Sequence, residues 1–192
     1  MRRLRSIGSV LAGSFLLLAA IFLTAIGQDK PDQKLVSRGK YLVNAVGCND
    51  CHTPFKMGPK GPEPDMTRFL SGHPQDMVLP PAPAASGPWI GSFAATMTAW
   101  AGPWGVSFTR NLTPDKESGL GDWTEENFIA TFRTGKRMGK GRDILPPMPI
   151  PAFKNMTDND LKSIFAYLKT IPVVKNKVPE PIPPAGQPAY PK

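Results

Sequence analysis

The five residues Cys48-Asn49-Asp50-Cys51-His52 constrain this chain more than any other feature. Two thiols three positions apart lie on one face of a helical turn, and an imidazole follows at once. A bare C-x-x-C also serves zinc sites and thiol redox enzymes. A structural zinc needs four donors, and His73 is the only other good one in the chain. A thioredoxin-like pair needs a βαβ setting, which this sequence lacks. The histidine directly after the second cysteine is the attachment signal for a c-type haem. The thiols can reach the two vinyl groups of the porphyrin, and His52 then lies under the iron. The expected cofactor is therefore one covalent haem c, tethered by Cys48 and Cys51, with His52 as its first axial metal ligand.

A sixth ligand has to come from His73 or from Met57, Met66, Met77, Met97, Met138, Met148 or Met156. Met148 is the choice. It sits in Leu145-Pro146-Pro147-Met148-Pro149, a segment that cannot continue a helix or a central strand and is stiffened by its prolines. Methionine ligation raises a haem's potential. The competing reading of Met148 is gap-filling core. Met138, flanked by Lys136, Arg137, Gly139 and Lys140, reads as exposed, and His73 reads as a turn or surface histidine.

Covalent haem attachment takes place after export, and the N-terminus agrees with that. Arg2, Arg3 and Arg5 precede an uncharged run from Ile7 to Gly27. As a helix it would span about 31 Å, close to a bilayer core. Residues 1–28 are read as a signal peptide, with a site at Ala25-Ile26-Gly27, or as an uncleaved N-terminal hydrophobic anchor. Basic residues before the run and few after it place the body on the periplasmic side of a bacterial inner membrane, anchored or soluble.

Helical patterning marks three segments of the body. Residues 30–47 carry an apolar stripe of Leu35, Leu42, Val43 and Val46, with Gly39 as a costly residue that a close helix crossing would justify. Residues 122–134 have Thr124 as N-cap, acids in the first turn and Gly135 as stop. Residues 158–171 have Thr157 as cap, a stripe of Leu161, Ile164, Phe165 and Leu168, and Pro172 beyond. Residues 57–110 hold nine prolines in 54 positions and are expected as a long extended insertion over the surface. Their aromatics, Trp89, Phe93, Trp100, Trp104 and Phe108, are expected to pack on the core or the haem edge. The last 21 residues hold seven prolines and read as an extended tail. No stretch is rich in strand signals. The expected fold is mainly α, with a haem-binding domain over 30–172 and a Pro-rich tail over 173–192.

From Gln28 onward there are 20 basic and 15 acidic residues. No basic run is interleaved with aromatics, so nucleic acid is not expected as a partner. Lys136, Arg137, Lys140 and Arg142 read as a solvated stretch or a docking patch, and Arg110 with Asn111 as an exposed loop or a propionate contact.

Over residues 34–172 the sequence resembles a class I (monohaem) cytochrome c. The likeness rests on Gly39-Lys40-Tyr41 ahead of Cys48-Asn49-Asp50-Cys51-His52, on Pro147-Met148-Pro149, and on Leu161 to Lys169 with Phe165-Ala166-Tyr167-Leu168. Asn111-Leu112-Thr113-Pro114-Asp115 and Gly119 to Thr124 are similar to monohaem cytochromes that serve as electron-accepting subunits of bacterial membrane dehydrogenases. The resemblance implies a helical fold around the haem, with Gly39 at the crossing of the first and last helices and Tyr167 beside it. It implies a proline carbonyl, from Pro59 or Pro62, bonding the proximal histidine. It implies an electron carrier rather than an enzyme. Its partners would be an upstream dehydrogenase or quinol-oxidising complex and a downstream oxidase or cytochrome. The competing functions are a haem sensor or peroxidase-like enzyme with a labile sixth ligand, and a haem-free thiol oxidoreductase. Residues 57–110 depart from the compact family pattern. The intact mass of natively exported protein should exceed that of the mature chain by one haem and should show whether the leader is removed. An unadducted mass overturns the reading.

Overall fold

The computed structural model describes residues 32–191. The expected leader helix over 1–28 lies outside these residues. Among the described residues no helix is long and apolar enough to cross a membrane.

Helix α1, Gln33–Ala45, starts where the Asp32 carboxylate accepts the Lys34 N–H at 2.8 Å. The one-turn helix α2, Cys48–His52, follows a left-handed Gly47 (φ 72°). Helix α3, Glu125–Thr134, is capped by Thr124, which accepts the Asn127 N–H at 3.2 Å, and stops at left-handed Gly135. A single turn, α4, spans Ile150–Phe153, and α5 spans Asp158–Leu168 behind the Thr157 cap. The patterned segments are thus helical, each slightly shorter than the expected range because capping groups, rather than apolar residues, end a helix.

Helices α1 and α5 cross at Gly39. A Cβ built there would overlap the Ser163 carbonyl and lie 2.8 Å from the Tyr167 Cβ. Leu42 and Val43 of α1 meet Leu161, Ile164, Phe165 and Leu168 of α5 in one buried cluster. Phe128 of α3 joins it at 5.2 Å from Phe165, and Phe153 of α4 lies 5.3 Å from Phe132. The crossing and the aromatic contacts hold the helices as one core.

The stretch after α2 contains strands that the sequence did not announce. Strands β1, Phe55–Gly58, and β2, Gly61–Pro64, form one hairpin. Strands β3, Ser92–Phe93, β4, Ala99–Gly102, and β5, Gly105–Phe108, form an antiparallel sheet in that order. The β4–β5 turn is Pro103-Trp104 between two glycines, with Gly105 at φ 82°. Small residues and prolines hid these strands, since both weaken a period-2 pattern. The described body is therefore helices plus two small sheets, rather than helices with an irregular wrap.

The tail is packed, not loose. The Val106 N–H donates to the Ile182 carbonyl at 2.8 Å, and the return bond is 2.9 Å. Asn176 is fully buried and acts as a hub. Its Nδ2 donates to the Ser71 and His73 carbonyls at 2.7 and 2.9 Å, while its Oδ1 accepts from the Gln75 N–H at 2.9 Å. Prolines straighten the tail, and these backbone groups give it a fixed path.

Two substitutions test this architecture by chemical denaturation. Gly39→Ala should cost about 1–3 kcal/mol, because the added carbon meets backbone that cannot yield. Asn176→Ala should cost about 3 kcal/mol, because it leaves several buried partners unpaired. Unchanged midpoints would show that neither contact bears on stability.

Candidate functional site

Cys48 and Cys51 lie on one side of α2, a single turn apart, and both thiols are free and partly exposed. Burial is the main reason that the Cys48 thiol is pushed up to about 12, and it raises Cys51 in the same direction. A thiol held neutral is a poor nucleophile, which disfavours a thiol oxidoreductase. No three His, Cys, Asp or Glu side chains converge among the described residues, so the four-donor cage of a structural zinc is not assembled there.

His52 is buried, and its Nδ1–H donates to the Arg110 carbonyl at 2.8 Å. Burial pulls the imidazole below its ordinary pKa, so the ring is neutral near pH 7. That one bond selects the tautomer whose lone pair sits on Nε2. Nε2 has no hydrogen-bond partner among the described residues. The expected proline acceptor is corrected here. Pro59 forms the tip of the β1–β2 hairpin and Pro62 pairs with Met57, and both are exposed. Arg110, just beyond β5, takes the role instead. Local sequence could not show this, because the bond joins residues 58 positions apart.

Met148 is half-buried against the same apolar cluster that Cys48 touches. Its loop is fixed from two sides. Ile150 and Phe153 of α4 are buried behind it. In front, Ser107 of β5 donates its hydroxyl to the Pro146 carbonyl at 2.6 Å. Strand β5 and its exit therefore hold the Met148 loop at position 107 and His52 at position 110. Met138 lies in a left-handed turn (φ 53°), and its sulfur is 3.8 Å from its neighbour Arg137.

The expectation for His73 is overturned: it is fully buried. Its Nδ1 lies 2.9 Å from the Thr98 hydroxyl and its Nε2 lies 3.3 Å from the Met77 carbonyl. The ring packs 4.8 Å from Phe108. Burial lowers its pKa, so the neutral ring that suits both contacts carries its proton on Nε2. With both nitrogens engaged, His73 has no lone pair to offer a metal. Its sequence context, one residue before a proline, resembled a surface turn; only the fold shows it enclosed between Thr98 and Phe108 of β5.

Arg142 and Asn111 depart from the exposed reading, whereas Lys140 of the same basic stretch is exposed. Arg142 is only 7% exposed, and Asn111 is buried, donating to the Val174 carbonyl at 2.8 Å. Arg110 donates to the Pro179 carbonyl at 3.0 Å and pairs with Glu180 of the tail at 3.3 Å. Glu180 lies 4.0 Å from Arg142. Burial lowers both arginines, the positive charge of Arg137 acts in the same direction, and Glu180 opposes it. Tyr190 donates to the Trp104 carbonyl and sits within electrostatic reach of Arg142. The indole N–H groups of Trp100 and Trp104 are also buried without a partner. Orphaned buried donors are costly and call for an acceptor. Trp89 and Phe93 are not packed into the protein core; they are 75% and 60% exposed.

This donor set fits a haem. A free Nε2 suits the iron, two thiols one turn apart suit the vinyl carbons, and arginines with unpartnered indoles suit two propionates. Ser107, Glu180 and Asn176 were missed from sequence, since each acts through a long-range contact that no local pattern signals.

No family model matches the chain. It is 30% identical over 153 residues to the gluconate 2-dehydrogenase cytochrome c subunit of Pantoea cypripedii, covering 79% of this chain and 26% of that protein. It is 31% identical over 176 residues to the cytochrome c subunit of the quinone alcohol dehydrogenase of Gluconobacter oxydans (strain 621H), covering 90% and 29%. It is 31% identical over 135 residues to the fructose dehydrogenase cytochrome subunit of Gluconobacter japonicus, covering 70% and 21%. The chain spans about a quarter of the length of these relatives. With these likenesses added to its C-x-x-C-H helix and its α1–α5 crossing, the chain is a homologue of the cytochrome c subunits of bacterial membrane dehydrogenases.

Proposed function

We propose that this chain is a monohaem electron carrier with Cys48 and Cys51 as the tether and His52 and Met148 as the axial pair. The observation that carries the reading is the His52 Nδ1–H bond to the Arg110 carbonyl, which leaves Nε2 as a preoriented donor. A bound haem supplies reversible one-electron chemistry at its iron. The chain contributes the rest. The thioether sulfurs keep the cofactor in place in both redox states. The Arg110 carbonyl fixes the imidazole plane and its tautomer. The Ser107 bond and the buried Ile150 and Phe153 restrain the loop that carries Met148. With His52 and Met148 both as ligands, the chain would offer a substrate no open position on the metal. Arg110, Arg142 and the Trp100 and Trp104 indoles are the residues that would hold the propionates.

The named relatives are subunits of dehydrogenases, which supports a dehydrogenase as the upstream partner. One C-x-x-C-H motif in the chain corresponds to one haem. The site of action is the periplasmic side of the inner membrane, with the leader as anchor or removed signal. A quinol-oxidising complex upstream, and an oxidase or another cytochrome downstream, complete the electron path.

Three measurements test the proposal. The purified pigment should stay with the polypeptide in acid acetone; its release would end the covalent assignment. Met148→Ala should remove the weak far-red sulfur–iron charge-transfer band and make the ferrous protein bind carbon monoxide readily at neutral pH. A persisting band would point to another methionine, and ready carbon monoxide binding by the unaltered protein would favour a sensor or peroxidase. Ser107→Ala should weaken the Met148 loop by about 1 kcal/mol, read as loss of the far-red band at lower denaturant than in the parent.

A further inference from the structure

Residues 77–109 contain no Asp, Glu, Lys, Arg or His, although 20% of the whole chain is charged. An uncharged run of this length normally lies inside a core. Here part of it lies on the surface. Trp89 is 75% exposed, Ile90 71% and Phe93 60%. Phe93 sits on β3, and its ring lies 5.1 Å from Trp100 of β4, so the strand supports it from beneath. Strand β3 is the outer strand of its sheet, and among the described residues no strand pairs with its free edge.

Exposed tryptophan, isoleucine and phenylalanine beside an open strand edge are unfavourable in water and favour association. Charge depletion with aromatic anchors is the composition of a permanent protein interface, not of a brief electrostatic encounter. A lipid surface fits less well. Membrane-surface elements usually bring lysines and arginines beside their apolar face, and this run has none. The open edge would also leave backbone N–H and C=O groups unsatisfied in hydrocarbon, whereas a protein segment can pair with them.

We infer that the Trp89–Phe93 edge is the face by which this cytochrome docks onto a dehydrogenase polypeptide, through an apolar and largely uncharged surface on that partner. The inference rests on the dehydrogenase-subunit reading above and adds to it the surface and the kind of contact. Trp89, the most exposed of the three, is the main anchor, and Ile90 and Phe93 extend the same apolar stretch. Because Phe93 leans on Trp100, docking here also abuts the strand that carries one of the two orphaned indoles. The partner is thereby brought to the sheet whose exit positions His52.

The test uses the tagged full-length holoprotein, expressed in its own host and extracted from membranes in mild detergent. Parent, Trp89→Asp and the milder Trp89→Ala/Phe93→Ser are compared, with the haem spectrum as a check on folding. The expected result is a dehydrogenase polypeptide, identified by mass, that comes with the parent in stoichiometric amount. Its recovery should fall by about tenfold or more in both variants, with the haem spectrum unchanged. Equal recovery with parent and variants overturns the docking face while leaving the functional reading intact. Absence of any dehydrogenase even with the parent overturns both. Binding of the purified parent to neutral phosphatidylcholine vesicles, lost in Trp89→Asp while dehydrogenase recovery is kept, would reassign the edge to lipid. A dimer of the parent that Trp89→Asp converts to monomer, again with dehydrogenase recovery kept, would reassign it to a second copy.

Discussion

The hydrogen bond from the His52 imidazole to the Arg110 carbonyl is the constraint on which the rest of the site depends. It crosses from the one-turn helix that carries both thiols to the far end of a long insertion. A ring on a short helix could rotate about its side-chain bonds and present either nitrogen. A backbone acceptor at 2.8 Å removes that freedom and leaves one lone pair facing away. A carbonyl has no charge state, so the orientation does not change with pH. Its position is as reliable as the backbone around it.

That backbone is made reliable by segments that look like connections. The β4–β5 hairpin brings the chain to Arg110, and the Thr109 N–H donates to the Thr98 carbonyl at 2.9 Å. The tail then closes over the insertion through Asn176, the Val106–Ile182 bridge and the Glu180 contacts. Prolines serve both segments for one reason: they lower the entropy of an extended chain before any contact forms. The remaining carbonyls and amides then find partners in each other rather than in water. Gly105 permits this closure, because a side chain there would strike the Ile182 carbonyl.

The electrostatics follow the same division of labour. Burying Arg142 and much of Arg110 is unfavourable for like charges, and a single exposed glutamate offsets only part of it. A ligand with two carboxylates would compensate the remainder, and the unpartnered indoles of Trp100 and Trp104 ask for the same kind of acceptor. The thiols show the complementary pattern. They sit where the anion is disfavoured, which suits a carbon–sulfur bond better than redox cycling. Relatives that are cytochrome c subunits of dehydrogenases are consistent with this chemistry over most of the chain.

The sequence alone determined whatever depends on neighbours within a few positions. The thiol spacing, the histidine after it, the caps at Thr124 and Thr157, and the apolar stripes of α1 and α5 are local, since helices are built from contacts three and four residues apart. Gly39 was legible because a glycine inside a helix needs a crossing partner. The tertiary structure alone decided which carbonyl holds His52, that His73 is enclosed rather than exposed, and that Arg142 is buried. It also decided that residues 57–110 are sheet as well as loop, and that Trp89 and Phe93 face outward. Each of these is settled between residues far apart in the chain, where pairing depends on what the finished core brings within hydrogen-bonding distance. No local pattern encodes a partner that lies dozens of residues away.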